Sequence, residues 1–260
     1  MRLLLWISIF LNATFLYAQI SPPGLGEANY ASWFALGLKQ DLNAKNSIHS
    51  MTYVGVGIKT EENQYINKPA ILVLNQEFYH HLNNKIDLSY AASYRRQKEY
   101  ENLPNKTNNQ FSIQQEFRIY GRFSYTFKVA NINFKQTARQ ELRRFVNQDF
   151  IDTNEPLQLR TRIKSQIVFN LDNQKRHKIS TGAEALFSTS KNQETKNWSG
   201  IKYKEARFTF FYTYNPIKTP LAFSLGYMNN LIQNNTTHSV HYTSVNIVWK
   251  NPFKNFENKQ

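Results

Sequence analysis

Between Phe111 and Phe127 every second residue is apolar or small: Phe111, Ile113, Phe117, Ile119, Gly121, Phe123, Tyr125 and Phe127, with Gln115 as the break. The residues between them include Ser112, Gln114, Glu116, Arg118, Tyr120 and Arg122. A period of two sorts these sets onto opposite faces of a β-strand, one greasy and one charged. The run is also longer than an ordinary globular strand. The same reading along the chain predicts eleven strands, near 31–42, 47–59, 70–82, 85–97, 110–127, 132–146, 157–171, 177–188, 200–214, 220–229 and 239–250.

The predicted connections alternate in length. Segments 43–46, 83–84, 128–131, 172–176 and 215–219 are short, whereas 60–69, 98–109, 147–156, 189–199 and 230–238 are long. Short periplasmic turns and longer external loops are the rhythm of an outer-membrane barrel. The expectation is an all-β antiparallel transmembrane β-barrel. Eleven strands would set the first and last running the same way, so the reading adds one from 20–30 to make twelve, with ten as the alternative. Pro22, Pro23 and Gly24 make that segment a poor strand, and a path through the lumen is the other option.

Residues 1–18, MRLLLWISIFLNATFLYA, have the basic start, apolar middle and small final residue of a secretion signal cleaved after Ala18. No later segment holds about 18 consecutive apolar residues, so no helix is predicted to cross a bilayer. The domain reading is therefore a signal at 1–18, an N-terminal segment at 19–30, a barrel over 31–253 and a polar tail at 254–260. Mean hydropathy of −0.58 fits a barrel, where half of each strand faces water.

The chain carries 32 Lys and Arg against 18 Asp and Glu, a formal charge of +14. The basic residues fall inside strands at inward phase rather than in patches or tails, which argues against nucleic acid as a partner. Cysteine is absent, so disulfides and thiolate sites are excluded.

At inward phase lie Glu77, Asp87, Arg95, Glu116, Arg118, Arg122, Lys135, Arg139, Glu141, Arg143, Arg160, Arg162, Lys164, Glu184, Glu205 and Arg207. Strands 132–146 and 157–171 set Arg139, Glu141 and Arg143 beside Arg160 and Arg162, where opposite side chains leave the backbone about 5 Å apart. Two readings stay open. The charged side chains fill and brace a modest lumen, or their basic excess favours small anions as charged rings do in pores.

Signals for catalysis and cofactors are weak: there is no G-x-S-x-G, H-E-x-x-H or phosphate loop. His80 and His81 are adjacent, so they point to opposite faces. Ser239 and His241 share a face near the external end of the last strand and form the best rim candidate for a lipid-modifying hydrolase. Asp149, Asp152, Asn154 and Glu155 offer oxygen ligands but lack the calcium-loop pattern and its glycine. Trp33, Trp198 and Trp249 suit interfacial girdles. The reading names no catalytic residue, no cofactor and no metal.

The chain resembles an uncharacterised family of bacterial barrels, domain of unknown function 2490, common in Bacteroidetes. The residues that carry the resemblance are Glu116-Phe117-Arg118, Arg139-Gln140-Glu141-Leu142-Arg143-Arg144-Phe145, Arg160-Thr161-Arg162, Glu184-Ala185-Leu186-Phe187, Glu205-Ala206-Arg207 and Leu225-Gly226-Tyr227-Met228. It implies an outer-membrane location and no assigned activity. Phe253 and Phe256 precede the polar tail, so the assembly machinery would read an internal aromatic.

The expected protein is a porin-like barrel of a Gram-negative bacterium. Its expected partners are outer-membrane lipid and lipopolysaccharide, the assembly machinery and small anionic solutes. A rim hydrolase and a loop-based interaction scaffold are the alternatives.

Overall fold

The computed structural model describes residues 22, 28–43, 47–61, 64–100, 111–129, 132–233 and 237–253. The expected signal at 1–18, most of 19–30, the tail at 254–260 and much of the predicted loop at 98–109 lie outside these. All elements of the described residues are strands: β1 (Tyr30–Asp41), β2 (Ile48–Glu61), β3 (Gln64–His81), β4 (Ile86–Tyr100), β5 (Phe111–Val129) and β6 (Ile132–Asn147). They continue with β7 (Asp152–Asn170), β8 (His177–Lys191), β9 (Lys202–Tyr214), β10 (Leu221–Gln233) and β11 (Thr237–Lys250). Each matches one of the eleven alternating runs.

The strands pair in chain order and close into a barrel when β1 meets β11. Ten ladders are antiparallel, and the closing one is parallel, from Tyr30 opposite His241 to Lys39 opposite Lys250. This corrects the expected strand number to eleven. An odd barrel sets its first and last strands running the same way. A parallel ladder joins such edges directly, leaving no edge for a twelfth strand to cover.

The long connections are also shorter than expected. β2 runs to Glu61 and β3 starts at Gln64, while β7 starts at Asp152 rather than near 157. Polar residues and Pro69 there read as loop in the sequence. Beyond any apolar belt, however, backbone N–H and C=O groups still gain by pairing across a hairpin. Proline is accommodated at an irregularity: the β2–β3 register shifts between Gly57 and Ile58, opposite Pro69.

Alternation sorts the barrel wall. Outward residues such as Leu36, Ile119, Ile163, Phe210 and Leu225 are exposed. The inward set divides by sector. Behind the β1–β11 seam it is apolar: Ala31, Trp33, Ala35, Met51, Val73, Met228, Val240 and Tyr242 pack as one buried cluster. From Glu77 on β3 round to β9 most of the inward charge is found, with Lys39 and Lys250 near the short-turn ends of the seam strands. Trp33 is the second correction, since it is 1% exposed inside the barrel rather than in a girdle. Its phase is that of Ala31 and Ala35, and its ring lies over Gly55, where an added Cβ would come within 2.1 Å. Gly226 makes the same room for the ring of Phe211. Trp198 and Trp249 are exposed.

Gln115, the break in the apolar run, sits under the β6–β7 turn. It accepts the Tyr94 hydroxyl at 2.6 Å and donates to the Asn147 carbonyl at 2.9 Å. The turn thus satisfies the one amide on that apolar stripe. No helix among the described residues is long and apolar enough to cross a membrane, which says nothing of strands.

The arginine–glutamate lumen as candidate functional site

Strands β5, β6, β8 and β9 carry inward glutamates, each paired with guanidinium groups. Glu116 on β5 takes a two-pronged fork from Arg143 on the neighbouring β6, Nε to Oε1 at 2.8 Å and Nη2 to Oε2 at 2.6 Å. Arg118, two residues along the same strand face, adds Nε at 2.7 Å and Nη2 at 2.5 Å to Oε1. Arg95 approaches from β4 at 3.7 Å. Planar guanidinium matches a carboxylate in this bidentate way, which an ammonium cannot do.

Glu141 on β6 is fully buried and is the hub. Its register partner on β7, Arg160, donates Nε to Oε2 at 2.6 Å, and its Nη2 lies 2.6 Å from the same oxygen as an ion pair. Arg162 reaches Oε1 at 3.3 Å, and Arg118 lies 3.8 Å from Oε2. Arg139 Nε is 2.7 Å from Oε1 without pointing at it, so that contact is electrostatic rather than a hydrogen bond. The Arg139 guanidinium carbon instead lies over Tyr120, 3.5 Å from the ring centre, a cation–π arrangement.

Around the hub the pairing continues. Arg162 forks onto Glu184 of β8 at 2.9 and 2.7 Å. Glu205 on β9 takes Arg207 at 2.6 Å and the Asn230 amide at 2.8 Å. Glu77 accepts Ser89, Tyr120 and Arg122 at 2.6, 2.8 and 3.3 Å. Asp87 accepts Lys135 at 3.2 Å and contacts His81 Nδ1 at 2.5 Å. Arg143 also bonds Gln158, and Arg95 bonds Gln97.

The structure therefore places Glu116, Arg118, Arg139, Glu141, Arg143, Arg160, Arg162 and Glu184 in one connected lumen network, with Arg207 paired to Glu205 beside it. It also places groups that the sequence analysis passed over. Lys39, Lys178 and Lys250 point inward near the strand ends on the short-turn side, with His49 and Tyr79. Their inward phase was the available signal: Lys39 follows Trp33 and Ala35 at even steps, and Lys250 follows Tyr242 and Asn246. Pro22, also buried, accepts a bond from Arg207 Nη1 at 3.4 Å.

The lumen encloses a cavity of about 170 Å³. Among the described residues its wall presents twelve lysines and arginines but two carboxylates, Glu77 and Glu184. Arginine side chains wrap Glu116, Glu141 and Glu205, so these acids do not reach the wall. What a solute meets is strongly basic.

Other candidates are not assembled for chemistry. On the outer face, Ser239 Oγ accepts Asn229 Nδ2 at 2.7 Å, while His241 Nδ1 meets the Tyr227 hydroxyl at 2.6 Å and its ring stacks on Tyr30. Among the described residues Ser239 and His241 do not hydrogen-bond to each other. The expected oxygen-ligand loop is also different: Asp152 and Asn154 lie in β7, and Asp152 is held by Arg144 at 3.0 Å. His80 and His81 do point apart, one onto Tyr90 outside and one to Asp87 inside.

Fold and site together define a closed β-barrel whose interior is an arginine–glutamate network with a basic cavity. The chain belongs to the family described as protein of unknown function (DUF2490), whose model matches residues 31–241. No curated protein matches the chain.

Proposed function

We propose that the protein is an outer-membrane β-barrel of a Gram-negative bacterium and that its lumen is a narrow pore preferring small anionic solutes. The cavity wall carries this reading, because twelve cations against two carboxylates attract anions and repel cations. The outward apolar face supports a lipid surround, since a water-facing barrel would leave large side chains such as Leu36, Ile119 and Leu225 in solvent. Strands of 12 to 19 residues exceed the length a tilted span needs. Residues 1–18 would direct export, with lipid, lipopolysaccharide and the barrel-assembly machinery as partners. The forks on Glu116, Glu141 and Glu184 favour a second reading, in which the network braces a barrel that does not conduct.

Single-channel recording of the refolded protein under a salt gradient separates the two. Anion-selective steps, reduced in the Arg139→Gln and Arg160→Gln variants, are the expected result. A folded but silent barrel would overturn the pore and leave the bracing reading.

A further inference from the structure

We infer that the outward face of the β6–β7 ladder is an interface with a second copy of this chain inside the membrane. The inference rests on the lipid surround proposed above and names what covers one stretch of the wall. The outward residues of β6 run Phe134, Gln136, Ala138, Gln140 and Leu142, and those of β7 run Leu159, Thr161, Ile163, Ser165 and Ile167. The ends of both runs are apolar. Between them stand four uncharged polar side chains, Gln136, Gln140, Thr161 and Ser165, all exposed.

These four form two levels. Gln136 faces Ser165 and Gln140 faces Thr161 across the ladder. Ser165 Oγ donates to Gln136 Oε1 at 2.6 Å, and Thr161 Oγ1 donates to Gln140 Oε1 at 2.7 Å. Each amide is thus used at one end only. Among the described residues neither Nε2 has a hydrogen-bond partner. Turning an amide over exchanges its ends and leaves the oxygen unpaired instead. In hydrocarbon no water completes the set, so an unpaired amide is costly there. Thr52 and Gln76 repeat the motif on β2–β3 at a single level, whereas here two levels share one ladder and make a surface.

The partner is a copy because the patch is its own complement. Each level holds free amide donors together with hydroxyl lone pairs able to accept. A two-fold axis along the membrane normal keeps every residue at its own depth, so each level meets the same level of the other copy. Donors then face acceptors at both. The patch carries no charge, so it does not select a charged partner.

The neighbouring positions are small. Ala138 lies between the glutamines, Gly121 is the register partner of Gln140, and Ala183 and Ala185 are the partners of Ser165 and Ile163. A Cβ on Gly121 would meet nothing in this chain closer than 4.0 Å, so the barrel itself does not require glycine there. Small side chains let two walls approach until their amides meet.

The test is energy transfer between donor- and acceptor-labelled copies of the full refolded barrel in phosphatidylcholine vesicles, over a series of lipid-to-protein ratios. The chain has no cysteine, so single labelling sites can be introduced. Gln148→Cys, in the β6–β7 turn, is expected to give strong transfer that falls as lipid dilutes the protein. Leu42→Cys, after β1 on the opposite side of the barrel, is expected to give weak transfer. Gln136→Leu/Gln140→Leu is expected to weaken association about tenfold, the scale of two polar contacts between membrane segments. Heat-modifiable migration in gels reports folding. If that variant does not fold, Ala138→Phe, which holds the walls apart and keeps both amides, carries the test with a loss of about tenfold.

Transfer unchanged by these substitutions, or equal at the Leu42 and Gln148 sites, would overturn the interface. Flotation with the vesicles separates this inference from the reading beneath it. A barrel that floats but stays monomeric keeps the lipid surround, leaves the patch to lipid or another protein, and overturns the interface. One that does not float overturns both.

Discussion

Replacing Glu141 with Gln tests whether the lumen is held by its carboxylates or by its arginines. Glu141 is fully buried, with Arg139, Arg160, Arg162 and Arg118 at 2.7, 2.6, 3.3 and 3.8 Å. Arg162 and Arg118 keep other carboxylates, Glu184 and Glu116. Arg160 is left with none within bonding distance among the described residues, and Arg139 loses its nearest carboxylate while keeping its contact with Tyr120. Uncompensated buried charge of this kind costs about 3–5 kcal/mol. Removing Arg160 instead leaves Glu141 with three cations, so Arg160→Gln is expected to cost about 1.5 kcal/mol, the scale of one charged hydrogen bond. The two effects also combine with a definite sign. In the Glu141→Gln background the remaining guanidinium groups repel, so adding Arg160→Gln is expected to restore stability. Urea unfolding in phospholipid vesicles, followed by tryptophan fluorescence, measures all four proteins. A Glu141→Gln cost no larger than that of Arg160→Gln, or a double variant weaker than Glu141→Gln alone, would refute the argument.

Three further outcomes are expected. Gly55→Ala forces a Cβ into the Trp33 ring and is expected to cost about 1–3 kcal/mol by overpacking, with a shift in tryptophan emission; an unchanged urea midpoint and spectrum would show that Trp33 does not lie there. Ile119→Arg, on the outward face, is expected to cost about 2–4 kcal/mol in vesicles if that face meets the bilayer interior, and a cost near zero would count against the lipid surround. In the β7–β8 turn, Asp172 accepts the His177 backbone N–H at 2.9 Å and Arg176 at 3.0 Å, and the first of these chiefly holds its carboxyl below the ordinary aspartate value of 3.8. A depressed carboxyl stabilises above its unfolded value and loses that contribution as pH falls through the folded one. The His177 amide resonance is therefore expected to titrate with a midpoint under 3.8, and a midpoint at or above it would contradict the turn geometry.

Strand positions were legible because alternation is a local property of the chain. Phe117, Ile119 and Phe123 announce a face whatever surrounds them, and Glu116, Arg118 and Arg122 announce the other. Pairing partners followed from order, so Glu141 meeting Arg160 could be anticipated from two neighbouring strands. Closure could not. Whether β1 joins β11 directly depends on the two edges meeting across the whole chain, and no residue in either strand encodes parallel pairing. Trp33 misled for a related reason. An aromatic near a strand end suits a girdle by type, and only its phase with Ala31 and Ala35, together with Gly55 on the next strand, sends it inward. The inward placement of Lys39, Lys178 and Lys250 was missed because they are far apart in sequence and each is unremarkable alone.

The uneven filling of the lumen follows from the seam. A parallel ladder has slanted bonds and is slightly weaker per residue than its antiparallel neighbours, so the β1–β11 join gains most from support on its inner side. That support is apolar packing by Trp33, Met228, Val240 and Tyr242. Bonds at both ends close the join: His241 N–H to the Asn29 carbonyl at 3.0 Å, and a reciprocal pair between Asp41 and Asn251 at 2.8 and 2.7 Å. Asn251 holds a left-handed φ of 48°, which asparagine tolerates better than most residues. With the middle of the seam sector filled by apolar side chains, most of the inward charge falls on β3–β9, where the groups crowd closely enough for single carboxylates to serve several arginines. Sharing of that kind buries the acids and turns the bases toward the cavity. The basic character of the lumen is thus a consequence of how an eleven-stranded barrel closes, as well as of the excess of lysine and arginine in the chain.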